Sequence, residues 1–411
     1  MSASPPSLRY PLRGIDLKDP FLFQRSVPHD LFRRLRHEAP VYWNEEPEEH
    51  EPGFWSLTRY EDVLAVSRNP TLFSSALGGH QISYPPGIEF NQATSAIVGN
   101  MIGMDPPGHN AYRKLVSPVF TGGAVRKMEP AIRALVTSIL DRVAARGACD
   151  FVSEVAAELP LSVLCDLLGV PREDRGLLFD WTNRLTDFAN DPADFLGAYG
   201  ELFAYGQALV ERRRREPTGD LMGLMANARI DGRPIEAPLL DGFFLLIVIA
   251  GNETTRNSIA GGLLALVEHP DQRRLLEDDP ALVPIAVEEI LRWVTPVCHF
   301  RRTATADTEI REQPIRAGDK VVMWYPAANR DEAVFRDPDV FDVRRAPNDH
   351  LAFGEGQHFC LGAWLGRLQL RVMFEELVTR FRDFELAGPI ERLPSYFLSS
   401  YRRMPVRFRR A

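Results

Sequence analysis

The sequence has few cysteines, and they show no pairing pattern. Its 411 residues include only Cys149, Cys165, Cys298 and Cys360. No CxxC pair and no short, even spacing is present, which argues against a disulfide framework and against a zinc knuckle. Reduced thiols are typical of a cytoplasmic protein, and we expect that location.

The sequence also lacks an excess of positive charge. It carries 48 Lys and Arg residues against 56 Asp and Glu residues, a formal net charge of −8 at pH 7. Without an overall basic field, the protein is not expected to bind nucleic acid or an anionic membrane. The basic run "ERRRREP" at residues 211–217 is typical of a solvated helix end.

Long hydrophobic runs are missing as well. The longest, "FFLLIVIAG", covers residues 243–251, far short of the about 20 residues that a bilayer span needs. The N-terminal "MSASPPSLRYPLRG" lacks the charged start and apolar core of a signal peptide. We therefore expect no membrane anchor. A hydrophobic share of 45% is ordinary for a globular protein with a sizeable core.

What is present is mainly helical patterning. Residues 124–275 read as helices separated by Pro and Gly, whereas strand-like runs occur near the N-terminus ("PVYW", "GFWSLT"), at residues 309–325 and at residues 404–409. Residues 73–104 lack clear periodicity, and we expect them to be functional or partly helical. With no repeat and no linker, the sequence predicts one mainly α domain over residues 1–411, with a smaller β region.

One helix is expected to be much longer than the others. No proline interrupts residues 239–268, which predicts a helix of about 30 residues. Its first half is apolar on all sides, so it should cross the centre of the protein. Midway lies "AGNETT", residues 250–255, whose two small residues would let a flat ligand approach. An acid beside two threonines is costly there unless a partner or a function compensates; a threonine bonded to a carbonyl beside a solvated glutamate is the simpler alternative.

A glycine-rich turn surrounds Cys360 in "HLAFGEGQHFCLGAWLGRL", residues 350–368. Apolar residues then recur at helical spacing, at Leu361, Leu365, Leu368 and Val372. Cys360 is therefore expected at a helix N-terminus, where a thiolate is favoured. The residues alone leave three alternatives for the role of Cys360: a nucleophile, a metal ligand or a buried structural cysteine. His358 is too close in sequence to be a good general base for a nucleophile.

The stretch "FGEGQHFCLG" resembles the haem-binding signature of the cytochrome P-450 family. The residues on its fixed positions are Phe353, Gly354, Gly356, His358, Cys360 and Gly362. The resemblance implies the fold of that family, with its long helix crossing the haem, and haem b (iron protoporphyrin IX) as cofactor. It further implies that Cys360 is the axial iron ligand, with Phe353 packed beside the sulfur.

Two further motifs follow the order of the family. In "AGNETT" the resemblance implies that Ala250 lies against the haem, that Thr254 hydrogen-bonds dioxygen and that Glu253 relays protons. In "EEILRW" it implies a structural ion pair. The members of that pair would be Glu289 and Arg292, with Arg345 as a third.

Two more motifs concern the haem propionates. In "DPPGHNAYRKLV", His109 and Arg113 share one helix face, and the resemblance implies that both bind propionates. In "HFRRTATADTEI" the family pattern selects Arg302 rather than its neighbour Arg301. His358 would be the remaining partner.

The resemblance implies a monooxygenase that inserts one oxygen atom of dioxygen into a hydrophobic molecule of terpenoid, steroid or long-chain type. Electrons would come from a separate ferredoxin with its reductase, meeting basic residues such as Lys114, Arg126 and Arg367. The expected substrate contacts are Ile102, Leu246, Ile249, Val297, Phe397 and Leu398. A peroxygenase-type haem enzyme and a non-catalytic haem sensor are the alternatives, and the acid–threonine pair argues against the former.

Overall fold

Helices make up most of the molecule. The computed structural model describes residues 8–10, 12–46, 53–82, 100–186 and 192–411. The helices are His29–Glu38, Tyr60–Ser67, Gly108–Val116, Gly122–Arg126, Glu129–Ala144, Glu158–Leu168, Arg175–Thr186, Pro192–Arg215, Leu221–Asn227, Ala237–Glu268, Pro270–Asp278, Val283–Val294, Tyr325–Ala328 and Ala363–Arg380.

The longest of these, Ala237–Glu268, is called the central helix below. It matches the predicted segment within two residues and has a proline in its first turn, where no intrahelical N–H donor is required. It packs against Glu158–Leu168, Pro192–Arg215, Val283–Val294 and Ala363–Arg380. Among the described residues it is the one helix long and apolar enough to cross a membrane. Its packing on four neighbours is that of a core helix.

Glycines allow these neighbours to approach the central helix closely. A Cβ on Gly251 would lie 2.7 Å from Leu164 Cδ2, and one on Gly262 would lie 2.5 Å from Phe374 Cζ. Both distances are shorter than any ordinary carbon–carbon contact. Gly251 is therefore needed for helix packing, a reason that the sequence interpretation of "AG" as a ligand approach did not include.

The β region is smaller and lies in several sheets. The largest has the strand order Val41–Asn44, Phe54–Leu57, Lys320–Trp324, His299–Ala304 and Phe73–Ser74. Only the pairing of Lys320–Trp324 with Phe54–Leu57 is parallel in it. A second sheet has the order Phe381–Leu386, Pro405–Arg410 and Ala148–Asp150. The two-stranded pairs are Arg229–Ile230 with Arg233–Pro234, Thr308–Ile310 with Gln313–Ile315, and Glu391–Arg392 with Tyr401–Arg403.

The structure refines two expectations about the chain's organisation. The segment read as helical, 124–275, contains the short strand Ala148–Asp150 and the hairpin near residue 230. In the segment without periodicity, Phe73–Ser74 is a strand and Met101–Gly103 a short 3-10 helix. Residues 83–99 of that segment lie outside the described residues.

Candidate active site

The loop before the helix Ala363–Arg380 holds Cys360. The Cys360 backbone N–H donates to the Phe353 carbonyl at 2.9 Å, which closes the loop around the thiol. Gly354 and Gly356 have φ values of +67° and +73°, a region that favours glycine. A Cβ on Gly356 would also lie 2.5 Å from the Ser67 carbonyl oxygen. This glycine therefore serves the contact with the neighbouring helix end as well as the turn.

The Cys360 side chain is half-buried, because the loop opens onto a cavity. Burial raises its pKa above the ordinary value, against the smaller lowering effects of the Gly362 backbone, Arg113 and Arg367. Burial therefore opposes the thiolate that the nearby helix N-terminus is expected to favour. A cation bound at the sulfur would favour it, because a metal-ligating cysteine is deprotonated.

A cavity separates Cys360 from the central helix. On the cysteine side it is lined by Phe353, His358, Cys360 and Gly362, and on the helix side by Leu246, Ala250 and Thr254. Its remaining predicted lining residues are Ile102, His109, Arg113, Val297 and Arg302. Residues from distant parts of the sequence thus meet around one space, as the resemblance implied.

Three predicted substrate contacts do not line this cavity in the described part of the chain: Ile249, Phe397 and Leu398. Five residues separate Ile249 from Thr254, a rotation of about 140° around the helix, so the two side chains leave in different directions. Leu398 bridges to the lining residue Val297. The Phe397 ring lies 5.9 Å from that of Phe300, another lining residue. Phe397 and Leu398 thus contact lining residues without lining the cavity themselves.

One edge of the cavity is rich in cations and hydrogen-bond donors. The Arg302 side chain is almost fully buried, and its Nη1 donates to the Arg301 carbonyl at 2.8 Å. The His109 and His358 rings lie 4.2 Å apart. Burial, followed by the charges of Arg302, His109, Arg113 and His80, lowers the pKa of His358 to about 2.

A group with carboxylates fits this edge. The acids close to the lining already have partners: Asp105 accepts hydrogen bonds from the Ser74 hydroxyl and the Ser75 N–H, and Glu355 pairs with Arg68 at 3.1 Å. Arg113 differs from the expectation in part, because its two Nη atoms donate to the Gln357 and Phe359 carbonyls. It thereby fixes the cysteine loop. Propionates at this edge would pair with the buried Arg302 and accept hydrogen bonds from the neutral His109 and His358 rings, so the residues present fit a haem.

Glu253 and Thr254 of the "AGNETT" motif lie in different surroundings. Thr254 lines the cavity, and its hydroxyl donates to the Ala250 carbonyl at 2.7 Å. Glu253 is fully buried away from the lining, and its Oε1 accepts from Arg256 Nη1 at 3.0 Å. Oε2 has no partner among the described residues. Burial raises the pKa of Glu253 although Arg256 opposes the shift.

Arg256 was not identified from the sequence. Besides Glu253 it binds the Asn183 side chain at 2.9 Å and the Tyr401 carbonyl at 3.3 Å. A signal was available, since Glu253 and Arg256 form an i, i+3 acid–base pair in an apolar helix. Phe300, which lines the cavity two residues before Arg302, was missed as well.

The predicted structural ion pair is brought together as expected. Arg292 Nε and Nη2 each donate to the Glu289 carboxylate at 2.7 Å, and both side chains are completely buried. Arg345 Nε donates to the same carboxylate at 3.0 Å. These bonds tie the helix Val283–Val294 to the irregular segment that leads to Cys360.

Comparisons with known proteins agree with this geometry. The sequence model of the family "Cytochrome P-450" matches residues 239–388. Linalool 8-monooxygenase of Pseudomonas putida is 42% identical over 399 residues, which cover 95% of this chain and 98% of that protein. Methyl-branched lipid omega-hydroxylase of Mycobacterium tuberculosis is 40% identical over 429 residues, covering 99% and 97% respectively.

A solved structure gives the same result for the fold. The Mycobacterium marinum cytochrome P-450 CYP268A2 in complex with pseudoionone superposes with a TM-score of 0.90 at 37% identity, covering 98% of this chain and 100% of that one. With such identity over nearly the whole length, the chain belongs to the cytochrome P-450 family of haem-thiolate monooxygenases, which act on hydrophobic molecules.

Proposed function

We propose that this monooxygenase hydroxylates a terpenoid or another methyl-branched, apolar molecule, with a steroid or an unbranched long chain as the next candidates. The observation that carries the proposal is the wall above Cys360. Ile102, Leu246, Val297 and Phe300 line the same cavity as Thr254, and such a lining favours substrates with few polar anchors. Linalool and a methyl-branched lipid, named for two relatives, have this character.

Several side chains would hold the haem. Cys360 would ligate its iron, and Arg302, His109 and His358 would face its carboxylates, with Arg113 bracing the cysteine loop. When bound, haem supplies the redox-active iron at which dioxygen is activated. The apolar wall excludes water and orients the C–H bond that is to be hydroxylated.

Thr254 and Glu253 would deliver the protons that the reaction consumes. The Thr254 hydroxyl can turn from the Ala250 carbonyl towards the cavity, where it would donate a hydrogen bond. Glu253 has a raised pKa and an Oε2 without a partner among the described residues, and it would take up and release the proton there. This division of roles supports a monooxygenase over a peroxygenase-type enzyme, which does not need the pair.

Electrons would come from an acidic ferredoxin-type protein that docks on the outer face of the cysteine loop. Lys114 and Arg126 are exposed there, and neither has an ion-pair partner among the described residues. Trp364, 57% exposed, lies against Gly122 on the same face. Arg367, also predicted as a contact, is already bound to Glu288 at 2.7 Å.

We further propose that residues 1–411 form a single domain and that it acts in the cytoplasm.

The test is turnover of the haem-loaded enzyme with a ferredoxin, its reductase and dioxygen. Linalool, a methyl-branched fatty acid and a steroid are compared for a shift of the haem absorption band and for hydroxylated product. We expect the first two to be oxidised with electron donor, and poorly with hydrogen peroxide alone. Equal turnover with peroxide would favour the peroxygenase alternative, and no turnover with any substrate would favour the sensor.

A variant tests the iron ligand itself. Cys360→His should abolish the spectrum of the reduced carbonyl complex that a thiolate ligand gives, because imidazole is a weaker electron donor. Cys298→Ser is the matched control, since that cysteine is buried in a core outside the cavity. A thiolate-type spectrum retained by Cys360→His would contradict the assignment.

A further inference from the structure

A second large cavity lies apart from the one that contains Cys360. Its volume is about 720 Å³, and it shares no lining residue with the first. It is bounded by the N-terminal end of the helix His29–Glu38, the C-terminal half of the central helix, the end of the helix Val283–Val294 and the strand pair Glu391–Arg392 and Tyr401–Arg403. The proposed function does not use it.

Two arginines on its lining are fixed by aromatic rings. The Arg330 guanidinium lies 3.9 Å from the centre of the Trp293 ring, and the Arg392 guanidinium 4.4 Å from that of Tyr401. Stacking of this kind holds the planar fork in place before a ligand arrives.

Both guanidiniums retain unused donors. Arg330 is only 5% exposed and donates through Nη1 to Asp339 at 3.0 Å. Arg392 donates through Nη2 to the Ser399 hydroxyl at 2.8 Å. The Nε atoms of both arginines lack hydrogen-bond partners among the described residues. The Nε atoms are closed off from solvent, so the donors that a ligand could reach are Arg330 Nη2 and Arg392 Nη1, which bond to no acceptor among the described residues.

Positive charge dominates the lining. Arg25 and Arg402 lie on it in addition to Arg330 and Arg392. The acids on it are Glu268 and Glu391, of which Glu391 pairs with Arg403 at 3.5 Å. Burial, and after it the charges of Arg330, Arg36, Arg392 and Arg292, hold the pKa of the lining residue His29 well below its usual range.

A helix begins at the same cavity. His29 is the first residue of the helix His29–Glu38, and Pro28 before it provides no side-chain cap. The His29 N–H already donates to the Val27 carbonyl at 2.8 Å, and Asp30 lies in the first turn of this helix, so the helix start offers no free donor to the cavity at His29. Leu264, Ala265 and Val294 form an apolar part of the lining, against which an organic group could pack.

We propose that this cavity binds a phosphate group, either as free phosphate or as part of an organic phosphate monoester. The Arg330 and Arg392 guanidiniums would donate to its oxygens in charge-assisted, fork-like hydrogen bonds, and Arg25 and Arg402 would add to the positive charge around it. Phosphate is favoured over a single carboxylate because it offers three or more oxygens to donors that converge from several directions.

The experiment is calorimetric titration of the haem-loaded enzyme with inorganic phosphate and with phenyl phosphate, at an ionic strength held constant with sodium chloride. We expect saturable binding of one ligand per chain. Arg392→Gln should weaken it by about tenfold or more, since it removes a charge-assisted donor. Arg336→Gln removes the same charge from a side chain that is 95% exposed and should leave the affinity unchanged.

The two ligands distinguish the source of the phosphate. Saturation by phenyl phosphate alone assigns the site to an organic phosphate, and equal affinity for both assigns it to phosphate itself. If Arg392→Gln does not fold, as judged by the reduced carbonyl spectrum, Arg392→Lys replaces it and should still weaken binding, because lysine keeps the charge but loses the fork. Non-saturating heats with both ligands, or equal affinity in the Arg392 and Arg336 variants, would overturn the proposal.

Discussion

Two glutamate–arginine pairs with the same i, i+3 spacing lie buried in helices, but they are held in different ways. Both oxygens of Glu289 are bonded, by Arg292 on each and by Arg345 on one. Glu253 has one oxygen on Arg256, and the other has no partner among the described residues. A fully bonded carboxylate locks elements together, whereas a half-bonded one keeps an oxygen available for a proton.

The largest effect is expected from breaking the fully bonded pair. Arg292→Ala should lower the free energy of unfolding by about 3–5 kcal/mol, because it leaves the Glu289 charge buried without its main partner. Urea denaturation of the haem-loaded enzyme measures this. Arg336→Ala, at an exposed side chain, should stay within about 0.5 kcal/mol of the parent. A loss below about 1 kcal/mol in Arg292→Ala would place this pair with ordinary surface ion pairs.

A substitution in the half-bonded pair, Glu253 and Arg256, should lower activity rather than stability. Glu253→Gln should lower the rate of product formation by about 10²-fold, because an amide cannot take up or release the proton. Its free energy of unfolding should not fall, since the amide oxygen can still accept from Arg256. Product is measured at saturating electron donor, with Glu253→Asp as the variant that keeps an acid. Parent-like turnover in Glu253→Gln would remove this residue from the proton path.

A smaller effect is expected from Arg256, a positioning residue. Arg256 lowers the pKa of Glu253 against the effect of burial. Arg256→Gln should therefore move the pH dependence that Glu253 causes to higher pH, with a several-fold loss of rate, and Arg256→Lys should restore part of it. The measurement is a pH profile of product formation. A profile that is identical in Arg256→Gln would show that the contact serves packing alone.

The smallest effect concerns stability against pH. Because burial raises the folded-state pKa of Glu253, the protonated acid is the form that folding favours. Its stabilising contribution is complete below the unfolded-state pKa and is lost as the pH rises through the folded-state pKa. The parent should therefore lose stability relative to Glu253→Gln as the pH rises, by less than the Arg292→Ala loss. Parallel denaturation series at several pH values check this, and a constant difference between the two proteins would contradict it.

Much of the framework could be predicted from the sequence because periodicity and the absence of proline act locally. The central helix was predicted within two residues, and the strands near "VYW" and "FWSL" were expected. The cavity residues around Cys360 depended on the resemblance, since only a motif with a known spatial role can connect residues as distant as His109 and His358.

The direction in which each side chain points, relative to the cavity, could not be predicted from the sequence. Glu253 and Thr254 are neighbours in sequence, yet one lies off the cavity and the other on it. Ile249 was expected on the wall and lies outside it, because a few residues of helical rotation decide which face a side chain occupies. The desolvation that raises the pKa of the Cys360 thiol also arises only when the whole chain has folded.

The contact between Gly251 and Leu164 has a consequence for changing this enzyme in the laboratory. Since no larger side chain fits between the two helices without moving one of them, the position of Thr254 over the cavity depends on a glycine on the neighbouring turn. Libraries meant to broaden the range of accepted molecules should therefore leave Gly251 and Leu164 unaltered. Ile102, Val297 and Phe300 can be varied instead, because they come from short segments outside the central helix.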